Sequence, residues 1–324
     1  MTNALKKPFV SVIALCFNHA RFVVECLESI RAQTYQDFEL IIMDDCSRDD
    51  SVSIINNWIA DTGTRCLFIS HKINVGVCQA LNEAIELSRG DFICMIATDD
   101  RWRPNRIEAH VKVLLDLPSE VAVVYSDTAQ IDEAGNLLPD TFLEGQRPGF
   151  LMPSGRVFED LIDRNFVHPL AATLRKDAVV KVGGYDTRLV AEDYDMWLRL
   201  ASKYHFLFMG GVFSDYRIVS TSLTRTLFSN PTAKFSYGQF LLAEKWIPSK
   251  LINRRQRKAW CKNQADSAYW LYFHDDPRAA RCLWTVAWRV KKLRYFGLAL
   301  LSSFGIERGR AKRMAIILGL IKDD

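Results

Sequence analysis

Eight cysteines, at 16, 26, 46, 66, 78, 94, 261 and 282, form no Cys-x-x-Cys pair and no cysteine-histidine spacing suited to zinc. That absence argues against a structural zinc site or a dithiol redox motif, and predicts reduced thiols in a cytosolic protein. No stretch reaches the roughly 18 uninterrupted apolar residues that a spanning helix needs. Met1 to Pro8 is short and polar, so no secretory signal is expected and the expected location is the cytoplasm. Also missing are a Gly-x-Gly-x-x-Gly after the first strand and a Gly-x-x-x-x-Gly-Lys-Ser/Thr anywhere, which disfavours a Rossmann dinucleotide site and a P-loop. Any phosphate must be held in another way.

A length of 324 residues with 49% hydrophobic side chains permits a full core, in one large domain or two modest ones. The net charge of +4 conceals an asymmetry. Residues 1–233 carry 23 Lys and Arg against 31 Asp and Glu, whereas residues 234–324 carry 19 against 7. The two parts are expected to meet different partners.

The first part alternates two periodicities. Phe9 to Phe17 (FVSVIALCF), Phe38 to Met43 (FELIIM), Cys66 to Ser70 (CLFIS) and Phe92 to Ala97 (FICMIA) are short apolar runs suited to buried strands. Between them Phe22, Cys26, Leu27 and Ile30, then Val52, Ile55 and Ile59, then Val77, Ala80, Leu81, Ala84, Ile85 and Leu87 recur at helical spacing. Strand alternating with helix predicts an α/β fold, a mostly parallel sheet covered on both faces whose strand-end loops form the working face.

Those loops are acidic. Asn18-His19 follows the first strand, Asp44-Asp45-Cys46-Ser47-Arg48-Asp49 the second, and Thr98-Asp99-Asp100-Arg101-Trp102 the fourth. Together with Glu192-Asp193 they would converge on one crevice at the carboxyl ends of the strands. Helix capping accounts equally well for Ser47, Asp49 and Asp50. Asp99-Asp100 directly after an apolar strand suits a hard divalent ion, Mn²⁺ or Mg²⁺, that also holds substrate phosphates. Acidic residues at Ala191-Glu192-Asp193-Tyr194-Asp195 suit the first turn of a helix as well as a catalytic mount.

Val10 to Asn18, Leu27 to Tyr35 (LESIRAQTY), Phe38 to Ser51 (FELIIMDDCSRDDS), Asn74 to Gly76, Gly90 to Pro104 (GDFICMIATDDRWRP) and Gly183 to Leu200 (GGYDTRLVAEDYDMWLRL) resemble, in order, family 2 inverting glycosyltransferases of bacterial surface-polysaccharide type. The likeness covers about residues 9–225 and implies a Rossmann-type GT-A fold and a nucleotide-diphosphate sugar donor. It implies that Asp45 contacts the donor's base, that Asn18 and Ser47 build the nucleotide pocket, and that Asn74 and Gly76 let the backbone approach. Thr98-Asp99-Asp100 would serve the metal and diphosphate, Arg217 would stand near the diphosphate, and Asp193 would be the general base. Two positions depart from the family pattern. Ala97 stands where a first carboxylate is common, leaving open which of Asp99 and Asp100 meets the ion, and Val219 stands where a His often follows Arg217.

Trp102, His168 and Glu192 are candidates for the acceptor side, although Trp102 suits packing beneath the metal loop equally and a lone histidine is more often structural. His19, His71, His110, His205 and His274 share no ligand spacing, and Asp132 to Asn136 reads as an ordinary turn.

Residues 231–324 read as a basic, aromatic-rich helical region following a donor-binding domain over 1–230. Its aromatics either fill a small bundle core or, over 250–315, meet an anionic membrane surface. The acidic first domain and the lack of a nucleic-acid motif argue against a nucleic-acid partner. The resemblance implies metal-dependent, inverting transfer from a UDP-sugar by preference to a hydroxyl of a glycan or lipid-linked acceptor, at the inner face of the plasma membrane. The alternative is a non-catalytic nucleotide-sugar-binding subunit of a membrane assembly.

Overall fold

The computed structural model describes residues 9–146, 152–190, 192–219, 231–306 and 309. The chain divides into two compact units, the first formed by Met1–Thr187 with Glu192–Ser220 and the second by Arg188–Ala191 with Thr221–Asp324.

In the first unit β1 (Val10–Cys16), α1 (Val23–Arg31), β2 (Phe38–Asp44), α2 (Ser51–Thr62), β3 (Cys66–Ser70), α3 (Val77–Leu87) and β4 (Phe92–Ala97) follow the predicted alternation. Then come β5 (Arg101–Trp102), α4 (Arg106–Leu115), β6 (Val121–Ile131), β7 (Leu137–Thr141), α5 (Phe142–Gln146) and α6 (Phe158–Leu161). A 3-10 turn at Pro169–Ala171 leads into β8 (Ala172–Arg175), α7 (Lys176–Lys181), α8 (Glu192–Ala201) and β9 (His205–Arg217). The sheet runs β3-β2-β1-β4-β8-β6-β9-β5, with β7 paired to β6. Pairing is parallel from β3 through β4 and again between β6 and β9, and antiparallel at β8, β5 and β7.

Strand β1 is hydrogen-bonded between β2 and β4, and its side chains are buried because helices pack against the sheet. One face, Val10, Val12 and Ala14, packs with Val23, Leu27 and Ile30 of α1, Ile55 and Trp58 of α2, and Ile107, Val111 and Leu114 of α4. Truncating such a residue, Leu27 for example, to Ala costs about 2–5 kcal/mol. The chain walks outward from β1 to β2 and β3 and then returns through α3 to β4 on the other side of β1. That reversal opens a crevice beyond the carboxyl ends of β1 and β4, the place where α/β sheets bind ligands.

Among its described residues the second unit has four helices: α9 (Ala233–Trp246), α10 (Arg254–Phe273), α11 (Ala279–Val290) and α12 (Leu293–Ser303). Asn253 and Gln256 close a capping box at the start of α10. Phe240, Ala268, Leu271, Leu283, Val286 and Ala287 form its core together with Tyr272 and Tyr295. The aromatics that admitted two readings divide: Trp260, Tyr272 and Tyr295 are buried, whereas Trp288 is exposed. Among the described residues no helix is long and apolar enough to cross a membrane. The eight cysteines form no disulfide.

Candidate functional site

At the end of β2 the two adjacent carboxylates are filled by protein donors. Asp44 is wholly buried and accepts the backbone N–H of Ser47 at 3.0 Å and its hydroxyl at 2.5 Å. The Ser47 Oγ in turn accepts the N–H of Asn18 at 2.8 Å, and the Asn18 Oδ1 accepts the Arg48 N–H at 2.7 Å. Asn18 holds φ at 59°, a left-handed conformation that an asparagine tolerates better than most residues. These bonds lock the loops after β1 and β2 to each other.

Asp45 accepts the N–H of Val75 and the N–H of Gly76, each at 2.8 Å, one on each carboxylate oxygen. Asn74 donates its Nδ2 to the Asp45 carbonyl at 3.0 Å. Gly76 precedes α3 with φ at 87°, where a side chain would be strained. Asp45 is thus the knot that shapes the Asn74–Gly76 turn. His71 joins the same knot, its Nδ1 3.0 Å from Asp45 and its Nε2 3.1 Å from Glu83. Burial opposes a charge on this imidazole, but the two carboxylates outweigh it and raise the His71 pKa above its ordinary value.

The pair after β4 is different. Asp100 is buried at 4% exposure and accepts one N–H, that of Arg217, at 2.8 Å. Burial first, and the neighbouring Asp99 second, push its carboxyl well above the usual range. The Asp99 side chain keeps 17% exposure, and among the described residues its carboxylate accepts no hydrogen bond. His19 stands beside it, its Nε2 3.7 Å from the Asp99 carboxylate and its Nδ1 3.0 Å from the Thr98 hydroxyl. His19 therefore bridges the loops that follow β1 and β4.

Among the described residues no set of three or more His, Cys, Asp or Glu side chains gathers to hold an ion. One accessible carboxylate with a second, buried one behind it nonetheless suits Mg²⁺ or Mn²⁺, which takes one or two carboxylates and completes its shell with water and substrate phosphates. Asp99 and Asp100 fit that requirement, Asp99 being the accessible member.

Arg217 requires a correction. Its guanidinium is 1% exposed and fully engaged with protein groups. Nε donates to the Asp99 carbonyl at 2.7 Å, NH1 to the Asp132 carbonyl at 3.2 Å, and NH2 to Glu25 at 2.5 Å, while Phe22 lies 4.8 Å beneath it. A buried fork so committed is not aimed at a diphosphate; it fixes the backbone of the acidic pair. Glu25 also accepts Arg101 NH1 at 2.5 Å, and Arg101 and Arg103 both donate to Asp215. The Asp132–Asn136 turn is thus a support of the acidic loop, as well as a turn.

Of the three acceptor-side candidates, Trp102 and His168 are held by protein partners. Trp102 is 3% exposed, donates its Nε1 to the Leu170 carbonyl at 3.1 Å and stacks under Arg106, the packing position that its sequence admitted. His168 caps the 3-10 turn by accepting the Leu170 N–H and lies between the rings of Phe142 and Tyr216. Burial drops its pKa to about 4, leaving it neutral near pH 7. Glu192 begins α8, and its side chain lies outside the described residues.

Asp193, in the first turn of α8, accepts Asn165 Nδ2 at 3.1 Å, and burial raises its carboxyl above the usual range. Asn165 stands four residues before the Pro169–Ala171 turn, whose Leu170 carbonyl receives Trp102. Gly183 and Gly184 both take positive φ, and Tyr185 after them is buried with its N–H on Asn82.

The sequence gives His19 and His71 no ligand spacing, and it marks neither Glu25 nor Asn165 with a role of its own. The two histidines stand directly after β1 and β3 on the working face, a positional signal that ligand spacing does not register. Glu25 and Asn165 act across 192 and 28 residues of chain, with no local pattern to mark them.

Residues 11–183 match the family described as glycosyl transferase family 2, and residues 151–321 the related glycosyl transferase family group 2. An uncharacterized glycosyltransferase of Methanocaldococcus jannaschii is 26% identical over 266 residues, 81% of this chain and 85% of that protein. Chondroitin synthase of Escherichia coli is 31% identical over 195 residues, 60% of this chain and 26% of the synthase. A Rickettsia felis glycosyltransferase is 27% identical over 60% of this chain and 31% of its own length. This chain therefore spans under a third of those last two relatives. Among solved structures, the mannosyltransferase of Pyrobaculum calidifontis in complex with GDP-Man and Mn²⁺ superposes with a TM-score of 0.60 at 17% identity, covering 98% of this chain and 86% of that one. Residues 1–349 of TarS from S. aureus, in complex with UDP-GlcNAc, give 0.61 at 14% identity, covering 97% and 93%. These likenesses establish the GT-A fold expected from the sequence.

Proposed function

Because the chain belongs to glycosyl transferase family 2, we propose that it transfers a sugar, with inversion and with a divalent metal, from a nucleotide-diphosphate sugar to a hydroxyl of a glycan or lipid-linked acceptor. The observation that carries the proposal is the Asp99 carboxylate, accessible and without a hydrogen-bond donor among the described residues, at the strand-order reversal of the sheet.

In this proposal the donor's base lies against Asp45 and the Asn74–Gly76 turn, with Asn18 and Ser47 holding the neighbouring loop in shape. Asp99, backed by Asp100, holds the metal. A bound Mn²⁺ or Mg²⁺ would stabilise the charge that grows on the departing diphosphate. Arg217 acts through Asp99 and Asp100, keeping their backbone fixed. Asp193 accepts the proton of the acceptor hydroxyl as that oxygen attacks the anomeric carbon, and a raised pKa makes it a stronger base than an ordinary carboxylate. A single displacement inverts the anomeric configuration. UDP-sugar is the preferred donor; the S. aureus structure holds UDP-GlcNAc and the Pyrobaculum one GDP-Man, so both nucleotides belong in the first screen. The setting we propose is surface-polysaccharide synthesis at the inner face of the plasma membrane.

The test compares turnover and donor binding in native protein and Asp193→Asn. Positioned proton transfer contributes about 10² to 10⁴ in rate, so turnover should fall by that order with donor affinity retained. The native rate should rise with pH through a midpoint above the ordinary carboxylate range. Turnover unchanged by Asp193→Asn would remove Asp193 from the proposed role.

A further inference from the structure

We infer that the α11–α12 hairpin is a docking edge for a lipid surface bearing anionic headgroups. Apolar residues at intervals of three and four lie on one side of a helix. Leu293, Gly297, Leu300 and Phe304 follow that spacing, and the three with side chains are exposed at 89%, 47% and 77%. Trp288 of α11, 68% exposed, extends the stripe by meeting the ring of Phe296 at 5.3 Å. The opposite side of α12 carries Tyr295 and Ala299 into the core of the second unit. The stripe is therefore an additional apolar face, separate from the one that builds the fold.

Its charge selects the occupant. From Pro277 to Ile306 the chain has six Lys and Arg and no Asp or Glu. Lys291, in a left-handed turn with φ at 55°, and Lys292 form the bend from which Leu293 projects. Both are exposed, as are Arg281 and Arg294. Arg278 and Arg289 are paired with Asp276 and Glu244, whereas Arg281, Lys291, Lys292 and Arg294 form no ion pair among the described residues. Trp and Leu beside such unpaired cations are the pattern of a helix that lies in the headgroup region of an anionic bilayer. A second copy of this chain would instead bring like charges together at the Lys291-Lys292 bend, which disfavours self-association through it.

The test is co-sedimentation of the full chain with vesicles of phosphatidylcholine alone or with about a third phosphatidylglycerol, alongside sedimentation velocity without lipid. Vesicle binding is read without turnover, so it stands or falls apart from the transferase proposal. The expected result is salt-sensitive binding to the anionic vesicles only. Lys291→Glu with Lys292→Glu should weaken it about tenfold or more, since each cation near an anionic surface is worth about 1 kcal/mol. Leu293→Ser with Phe304→Ser should weaken it to a similar extent, and with both side chains exposed the variant's thermal midpoint should match the native one. Failure to bind anionic vesicles, or equal binding to both kinds unaffected by either variant, overturns the inference. A dimer in lipid-free solution that Leu293→Ser/Phe304→Ser dissociates, without vesicle binding, overturns it in favour of a second copy.

Discussion

Two Asp-Asp pairs stand at the ends of the strands that flank β1 and have opposite fates. Asp44-Asp45, after β2, receives five backbone and side-chain hydrogen bonds from Ser47, Ser70, Val75 and Gly76, with His71 alongside. Asp99-Asp100, after β4, receives one among the described residues, the Arg217 N–H on Asp100. The difference lies in the supply of donors. Loops around the first pair turn their N–H groups inward, whereas the second pair rests on Arg217, whose guanidinium goes to backbone carbonyls and Glu25. A satisfied carboxylate shapes a loop; an unsatisfied pair beside a crevice calls for a cation.

Substitutions should therefore separate the pairs by sign as well as by size. Asp44→Ala strands the half-buried N–H and hydroxyl of Ser47. At about 1–3 kcal/mol per unsatisfied group, roughly 3 kcal/mol of stability should be lost, read as a clear fall in thermal midpoint by calorimetry. A midpoint within a degree of native would dissolve the contrast. Asp45→Ala removes the acceptor of two N–H groups at the Asn74–Gly76 turn, costing about 2 kcal/mol, and nucleotide affinity should fall with it. Asp100→Asn points the other way. Its carboxyl already resists ionisation and the amide oxygen still accepts the Arg217 N–H, so the midpoint should hold or rise. A loss of several degrees would mean that Asp100 is structural in the manner of Asp44.

The smallest effect concerns pH. Because the folded pKa of His71 is raised, its contribution is complete below the unfolded value of about 6.5 and is lost as pH rises through the higher folded value. Stability measured between pH 6 and 8.5 should decline with a component that His71→Gln abolishes. An identical slope in the variant would detach His71 from the Asp45 knot.

The parallel half of the fold was legible because β1 to β4 and α1 to α3 announce themselves by period, and the segments from Phe9 to Ala97 lie where the apolar runs predict. The strand ends followed at once, and with them the acidic loops. What resisted sequence reading was the state of each side chain. Arg217 and Trp102 carry the chemistry of ligand contacts, yet one is buried against Glu25 and the other against Leu170, partners that lie 192 and 68 residues away. His168 likewise reads as a pocket residue until Phe142 and Tyr216 close over it. The second unit was ambiguous for a simpler reason: aromatic composition does not say which rings face inward, and here Tyr272 and Tyr295 do while Trp288 does not.

The most direct test of the central claim, that the Asp99-Asp100 pair is built for a metal and a nucleotide diphosphate, is calorimetric titration of UDP and GDP into native protein and Asp99→Ala, each with Mn²⁺ and with chelator. One nucleotide should bind the native chain only when metal is present, and Asp99→Ala should weaken that binding by about 100-fold, the scale on which metal sites respond to loss of a supporting group. Binding that persists equally in chelator or in Asp99→Ala, or failure of both nucleotides to bind a folded protein, would contradict it.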